Sequence, residues 1–149
     1  MSRGFLLDTS VISALSPGRE LYLPDGFSTW LQASDALLFI PVIAIAELTQ
    51  GISKLRRSGG VERADRLETW LDQLMAGYAQ RILSVSPGMA KLAGQMSDAA
   101  TAKGCHPGLA DVVIAAMARH EDLVLLTRNL KHFEPLGVSC CDPILQLPK

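Results

Sequence analysis

Three carboxylate residues stand in apolar stretches where an isolated charge is costly. Asp8 follows the short apolar run in "GFLLD", Glu47 follows "LLFIPVIAIA", and Asp111 is the only charged residue of "GLADVVIAAMA". A lone ionised carboxylate in a low-dielectric interior is strongly unfavourable unless it is paired or coordinated. Three such acids in one small domain indicate a shared solution, such as a bound cation.

Each acid also has a structural interpretation that the residues alone leave open. Asp8 could cap a helix that follows it, and Asp111 in the first turn of its helix could complement the helix dipole. Glu47 lies within a predicted helix, so its alternative is a place at the edge of the apolar stripe. All three alternatives would have to hold together for the acids to have no chemical role.

The chemistry that these acids could share is that of a hard metal ion. No histidine or cysteine accompanies them at zinc-binding spacing, and a set of oxygen ligands suits Mg²⁺ or Mn²⁺. An acidic pocket without a cation would repel a phosphodiester, whereas a metal-filled one would attract it. The metal could also activate a water molecule for an in-line displacement.

The composition sets the class of protein. A chain of 149 residues is expected to form one domain, residues 1–149, with its own core. Because 48% of its residues are hydrophobic and 19% are charged, the chain is expected to fold and not to be disordered. The formal net charge of −1 gives no general attraction to nucleic acid, so polyanion binding would rest on a local patch or a cation.

Cysteine usage and hydropathy predict a location in the cytoplasm. Cys105, Cys140 and Cys141 form neither a spaced metal motif nor a plausible disulfide framework, which fits a reducing compartment. The start, "MSRGFLLDTS", has too short an apolar run for a signal peptide, and no stretch approaches the length of a membrane span. No membrane association is expected.

Short apolar segments alternate with helical patterns, which predicts an α/β fold. The expected architecture is a three-layer sandwich around a mostly parallel sheet of about five strands, with a projecting αα-hairpin. The predicted strands are "GFLL", 36–41, "RILSVS", 123–127 and 137–142, and the hairpin helices are 42–57 and 61–78. Ser86 before Pro87 is typical of a helix start, and Ser28 is a second candidate cap. Asp8 would then lie at the carboxyl end of the first strand, where α/β sheets bind ligands.

Four ordered blocks carry a resemblance to a known family. The blocks "LLDTSVI", "AIAELTQGI", "LADVVIAAMA" and "LLTRNLKHFEPLG" resemble those of the PIN-domain ribonucleases, in particular the VapC-type toxins of bacterial toxin–antitoxin pairs, in the branch close to FitB. "DTSVI" alone would be a weak signal, but the resemblance covers nearly the whole chain in the right order.

The resemblance implies a PIN-like fold in which Asp8, Glu47 and Asp111 meet at one end of the sheet as catalytic and metal-binding residues. It also implies cleavage of RNA by an activated water with Mg²⁺ or Mn²⁺ as the cofactor. Members of the family usually dimerise, so a homodimer is expected here. A small VapB-like antitoxin is the implied protein partner, inserting a tail into the acidic groove.

The fourth block departs from many relatives, which offer another acid where this chain has Asn129. Asn129 can still coordinate through its carbonyl oxygen or bind a metal-bound water, but it adds no charge. Around the same site, Thr127 and Ser10 are expected to contribute hydroxyls, and Arg128 to contact a substrate phosphate.

Other polar and aromatic residues have simpler interpretations. The basic stretch comprising Lys54, Arg56, Arg57, Arg63 and Arg66 could contact RNA phosphates, although a solvated helical face paired with Glu62 and Asp65 is preferred. The scattered histidines His106, His120 and His132 are interpreted as surface or structurally satisfied residues. Asp98 is interpreted as a solvated acid, and Trp30 and Trp70 as core or dimer-interface anchors.

Two other functional classes compete with a ribonuclease toxin. A phosphoaspartate receiver would need an acid pair after the first strand and a lysine after the last, and "LLDTS" supplies one acid. A catalytically weakened PIN-like module that acts through partner or nucleic-acid binding is compatible with Asn129, but the three acids argue against it.

Overall fold

A five-stranded, entirely parallel sheet forms the centre of the molecule. The computed structural model describes residues 3–148, with the exception of the Leu21 side chain. The strand order is β3-β2-β1-β4-β5. The strands are β1 (Phe5–Leu7), β2 (Leu38–Pro41), β3 (Ile82–Leu83), β4 (Val124–Leu126) and β5 (Cys140–Cys141).

The sheet is buried on both faces because its strands are apolar at successive positions. Strand side chains alternate between the two faces. Leu6 and Leu125 pack into one core and their neighbours Leu7 and Leu126 into the other, and all four are almost completely buried. This continuous apolar pattern is the one that parallel sheets covered by helices require.

The described part of the chain contains seven α-helices, which pack around the sheet. They are α1 (Thr9–Ala14), α2 (Phe27–Ala33), α3 (Val42–Arg57), α4 (Val61–Gly77), α5 (Pro87–Ala102), α6 (Leu109–His120) and α7 (Leu130–Phe133). The core around Leu6 is formed largely with α5 and α6, and the core around Leu7 with α1 and α3. The expected α/β sandwich is therefore confirmed.

The expected hairpin is formed by α3 and α4. Its own apolar cluster is built on Ile52, Ala64 and Leu71. The turn passes through Gly59, whose φ of 98° lies in the left-handed region that glycine tolerates best. At the surface Arg56 binds Asp65 and Glu68 at 2.6 and 2.7 Å, so the expected pairing with Asp65 is confirmed, whereas within residues 3–148 the second acidic partner is Glu68 and not Glu62.

Helix starts and strand lengths differ in part from the sequence expectations. Ser86 caps α5 as predicted, accepting a hydrogen bond from the Met89 N–H at 3.2 Å. Ser28 is not a cap, because α2 already begins at Phe27 with Gly26 before it. The third and fifth strands are only two residues long, and residues 35–37 form a 3₁₀ turn ahead of β2.

Among the helices of residues 3–148, none is long and apolar enough to cross a bilayer. Met1, Ser2 and Lys149, which belong to the domain expected from the sequence, lie outside the described residues.

Candidate active site

Parallel pairing of β1 with β4 brings Asp8 and Thr127 side by side. Each residue directly follows its strand, and the Asp8 N–H continues the pairing by donating to the Leu126 carbonyl oxygen at 2.8 Å. Both side chains are buried, with Asp8 3% exposed and Thr127 0% exposed. A carboxylate is therefore fixed at the carboxyl edge of the sheet, as the sequence predicted.

Two hydroxyl groups hold the Asp8 carboxylate. Its Oδ2 accepts hydrogen bonds from Ser10 Oγ and from Thr127 Oγ1, each at 2.8 Å. Oδ1 accepts none from the residues that the structure describes, and no enclosed side-chain oxygen of those residues lacks a partner. One carboxylate oxygen is thus anchored, and the other is left for a ligand on the open side of the site.

The backbone of Asp8 begins α1, but its side chain does not cap the helix. Asp8 has an extended conformation, φ −67° and ψ 155°, and its carbonyl oxygen accepts from the N–H groups of Val11 and Ile12. The carboxylate makes no capping hydrogen bond. The capping alternative is therefore wrong for the side chain, which is directed to the hydroxyls instead.

The same hydroxyls fix the chain after β4. Ser10 Oγ accepts from the Arg128 N–H at 3.0 Å, and Thr127 Oγ1 accepts from the Asn129 N–H at 3.0 Å. The side chains of Arg128 and Asn129 are exposed. Ser10 and Thr127 therefore position Asp8 and the loop that carries two further candidate residues.

Asp111 lies in the first turn of α6 and is electrostatically coupled to Asp8. Burial raises the pKa of the Asp111 carboxyl above its ordinary value, and the negative charge of Asp8 raises it further. The His132 ring opposes this rise in pKa, with its Nδ1 3.3 Å from Asp111 Oδ2. The His132 ring therefore offsets only part of the rise in the pKa of Asp111.

Glu47 lies on the second turn of α3 and has a hydrogen bond of its own. Its Oε1 accepts from Thr9 Oγ1 at 2.7 Å, and it lines two neighbouring cavities of about 340 and 710 Å³. Within residues 3–148, no three aspartate, glutamate, histidine or cysteine side chains are grouped closely enough to hold one metal ion. The structure thus pairs Asp8 with Asp111, while Glu47 is engaged by Thr9.

Two contacts of this site were not anticipated from the sequence. Thr9, next to Asp8, carries no signal of a role at the site in the sequence, and His132 is expected from the sequence to be a surface or structurally satisfied residue. His132 is 61% exposed, yet it approaches Asp111 because α7 packs near α6. The available signal was its position three residues after Asn129, on the short helix α7 that Asn129 precedes.

The aspartate and the two tryptophans that were given simpler interpretations lie in the expected surroundings. Asp98 is exposed. Trp30 packs edge-to-face on Phe5 with ring centroids 5.4 Å apart, and Trp70 packs against the core, as expected for apolar anchors.

Comparisons with known proteins show which family this chain is similar to. Residues 5–135 match the family model described as the PIN domain. Ribonuclease VapC10 of Mycobacterium tuberculosis is 34% identical over 106 residues, which cover 70% of this chain and 70% of that protein. Plasmid stability protein StbB of Pseudomonas syringae is 30% identical over 143 residues, covering 93% and 96% of the two chains.

A solved structure gives the same result. The crystal structure of FitAcB from Neisseria gonorrhoeae has 29% sequence identity and a TM-score of 0.74, covering 93% of this chain and 97% of that one. The segments that carry Asp8, Glu47, Asp111 and Thr127 all lie within the matched residues. The resemblance of the four sequence blocks is thereby confirmed, and this chain belongs to the PIN-domain family.

Proposed function

We propose that this protein is a metal-dependent endoribonuclease that hydrolyses RNA phosphodiester bonds with an activated water. The observation that carries the proposal is the Asp8–Asp111 pair: the Asp8 carboxylate is buried and anchored by two hydroxyls, and its charge helps to raise the pKa of the Asp111 carboxyl. An acid with a shifted pKa beside the carboxyl edge of a parallel sheet is typical of a functional site. Similarity to a protein named as a ribonuclease supports the reaction.

The donor atoms suit Mg²⁺ or Mn²⁺. Mg²⁺ is commonly held by one or two carboxylates and completes its shell with waters and substrate phosphate oxygens. Asp8 and Asp111 supply two carboxylates whose mutual repulsion a divalent cation would relieve. Glu47 would join as a third acid, directly after release from Thr9 or through a water molecule.

The roles of the chain's residues follow from their contacts. Asp8 and Asp111 would hold the cation, and Ser10 and Thr127 would keep the Asp8 carboxylate in its orientation. Asn129, exposed beside Thr127, would orient the attacking water through its amide group. When bound, the metal would favour deprotonation of that water and neutralise charge that develops on the phosphate.

The biological role proposed for this enzyme is that of the toxin of a type II toxin–antitoxin pair. The family resemblance and the similarity to VapC10 and to a plasmid stability protein support this role. Such a toxin would act on RNA in the cytoplasm, as a homodimer, and would bind a small antitoxin that blocks the acidic groove.

A second candidate is a PIN-like module that binds nucleic acid or a partner without cleaving RNA. Two observations favour it, namely an amide at position 129 in place of an acid and, within residues 3–148, the lack of a group of three acidic, histidine or cysteine side chains that could hold a metal. The coupled Asp8–Asp111 pair favours the ribonuclease, because a binding module gains nothing from two adjacent carboxylates that repel RNA.

The test is cleavage of single-stranded RNA with added Mg²⁺ or Mn²⁺ by the parent, Asp8→Asn and Asp98→Asn. Asp98 is an exposed acid on α5, so Asp98→Asn is the matched control. We expect cleavage by the parent and by Asp98→Asn, and its loss in Asp8→Asn. Equal cleavage by all three would remove Asp8 from the mechanism, and RNA binding without cleavage by any of them would support the binding module.

The toxin role is tested in cells. Expression of the parent should arrest growth, expression of Asp8→Asn should not, and co-expression of a small neighbouring gene product should relieve the arrest. Growth unaffected by the parent, although it cleaves RNA in vitro, would contradict the toxin role alone.

A further inference from the structure

Three arginines surround a cavity beside the candidate active site. The cavity has a volume of about 390 Å³, and Arg19, Arg63 and Arg128 lie on its wall together with Tyr22, Leu23 and Ile144. We call it the arginine cavity. Arg19 follows α1, Arg63 comes from α4 and Arg128 follows β4, so three separate segments converge on it.

None of these three guanidinium groups forms an ion pair with a carboxylate of residues 3–148. Arg56 and Arg81, by contrast, both bind acidic side chains. Glu20, the nearest acid in sequence to Arg19, accepts a hydrogen bond from the Gly18 N–H at 3.0 Å instead. In a chain with a net charge of −1, three arginines without ion pairs at one cavity form a local positive patch that the overall charge does not reveal.

Arg63 reaches this cavity from the hairpin. Its guanidinium group packs against the turn at Gly18. A Cβ atom added to Gly18 would lie 3.4 Å from Arg63 Nη1. A guanidinium group suits a phosphate because its planar fork can donate two parallel hydrogen bonds to two oxygens.

The arginine cavity is connected to the acids in two ways. The backbone N–H of Arg128 donates to Ser10 Oγ, and Ser10 Oγ donates to Asp8 Oδ2. Arg19 and Arg63 also line the neighbouring cavity of about 340 Å³ that contains Thr9 and Glu47. A chain bound at the acids could therefore continue along the arginine side.

Tyr22 indicates which kind of anion fits. Its side chain is 78% exposed at the rim of the cavity. Sites for single-stranded nucleic acid combine a positively charged groove with aromatic rings on which bases stack. An acidic peptide would use the arginines but would gain little from an exposed ring.

We infer that the arginine cavity is a binding subsite for single-stranded RNA, in which Arg19, Arg63 and Arg128 hold a backbone phosphate next to the scissile one and Tyr22 stacks on a base. The inference rests on the proposed function for the position of the scissile phosphate. It assigns substrate binding to Arg19, Arg63 and Tyr22, and it gives Arg128 a defined task.

The test measures RNA binding in EDTA, where no metal is available for cleavage. Fluorescence anisotropy of a short, fluorescein-labelled single-stranded RNA is compared for the parent, Arg19→Ala, Arg63→Ala and Arg128→Ala. Lys91→Ala is the matched control, because Lys91 is an exposed cation on α5, away from the cavity. Thermal melting by circular dichroism checks that every variant is folded.

We expect each arginine variant to bind roughly tenfold more weakly than the parent, the loss typical of one charged hydrogen-bond partner. The slope of log K against log salt should fall by about 0.7 for each phosphate contact removed. Arg63→Lys should lie between the parent and Arg63→Ala because it keeps the charge and loses the fork. Lys91→Ala should match the parent.

The inference is overturned if folded Arg63→Ala and Arg128→Ala bind RNA with the affinity and salt slope of Lys91→Ala. It is also overturned if a peptide of aspartate and glutamate displaces the RNA through the same arginines while Tyr22→Ala binds RNA normally. If the parent does not cleave RNA but its RNA binding still depends on the arginines, the proposed function is contradicted and the subsite is not. If the parent cleaves RNA but its RNA binding does not depend on the three arginines, the subsite is contradicted and the proposed function is not.

Discussion

At the scale of single residues, the site depends on two hydroxyl groups that share one carboxylate oxygen. Ser10 and Thr127 both donate to Asp8 Oδ2, and both accept a backbone N–H from the loop after β4. A hydroxyl is the side-chain group that can donate to a carboxylate and accept from an amide at once. The two residues therefore link the orientation of the acid to the placement of Arg128 and Asn129.

Thr127→Val should impair cleavage although it preserves the shape of the side chain. Valine removes one donor to Asp8 and leaves the Asn129 N–H without its acceptor. Loss of a partner that orients a metal-binding group typically reduces activity by roughly 10- to 100-fold, and the lost hydrogen bonds should cost about 1–3 kcal/mol in the free energy of unfolding. The measurements are RNA cleavage rate and chemical denaturation.

Two further variants make the Thr127 result interpretable. Thr127→Ser keeps the hydroxyl and should retain most of the activity, and Thr101→Val alters an exposed threonine of α5 and should change nothing. If Thr127→Val cleaves RNA as fast as Thr127→Ser, the hydroxyl does not position Asp8.

The raised pKa of Asp111 predicts how stability depends on pH. Because the pKa is higher in the folded than in the unfolded state, the folded protein binds the proton more tightly. The stability that this provides is fully present below the unfolded pKa, and it is lost as the pH rises through the folded pKa. At neutral pH the ionised Asp111 therefore destabilises the metal-free protein, despite the favourable helix dipole and His132.

Asp111→Asn should consequently raise the melting temperature of the metal-free protein at neutral pH, and this gain should disappear in acid. Added Mg²⁺ should stabilise the parent, because a ligand that binds only the folded state raises its stability, and it should stabilise the variant much less. Thermal melting with EDTA and with Mg²⁺ measures both effects. A lower melting temperature for Asp111→Asn in EDTA at neutral pH would contradict the charge repulsion.

At the scale of elements, the sequence predicts those parts whose local signals agree with the tertiary contacts. Both hairpin helices follow their apolar spacing, and α5 begins at Pro87 because the Ser86 hydroxyl before it accepts a hydrogen bond from the otherwise free Met89 N–H. The expectation that Ser28 is a cap was wrong. Phe27 is buried in the core, and the helix already begins at this residue, one position before Ser28. Local chemistry at position 28 was suitable, but the core decided the boundary.

The short strands show another limit of sequence patterns. Apolar runs at 81–86 and 137–142 were expected to form full strands, but β3 and β5 pair over two residues each. Both are edge strands with a single neighbour, so hydropathy marks the burial of their segments but not the length of pairing.

The candidate site was predictable to the extent that its residues end strands or interrupt apolar runs. Asp8 and Asp111 were found because their charge is costly where the pattern places it. Thr9 and His132 were missed because their partners, Glu47 and Asp111, are distant in sequence and only the fold brings them together. The arginine cavity is of the same kind, since its arginines come from three separate segments.

At the scale of the whole molecule, the sheet connects two cores that lie on its opposite faces. Adjacent residues of β1, Leu6 and Leu7, belong to different cores, and so do Leu125 and Leu126 of β4. A substitution that weakens packing in one core therefore also affects the central strands β1 and β4, which form part of the other core. This arrangement predicts that the chain unfolds as one cooperative domain.

Ile114→Val tests this cooperativity. Ile114 is fully buried in the core on the α5–α6 side, whereas Trp30 and Trp70 both pack against the opposite core. Removing one buried methylene costs about 1 kcal/mol, which lowers the melting temperature of a chain of this size by about 3 °C. Leu109→Ala, at a position 76% exposed on the same helix, should leave the melting temperature unchanged.

In a single cooperative domain, tryptophan fluorescence and far-ultraviolet circular dichroism must report the same lowered midpoint for Ile114→Val. A shift in the circular dichroism midpoint with the fluorescence midpoint unmoved would mean that the two cores unfold separately.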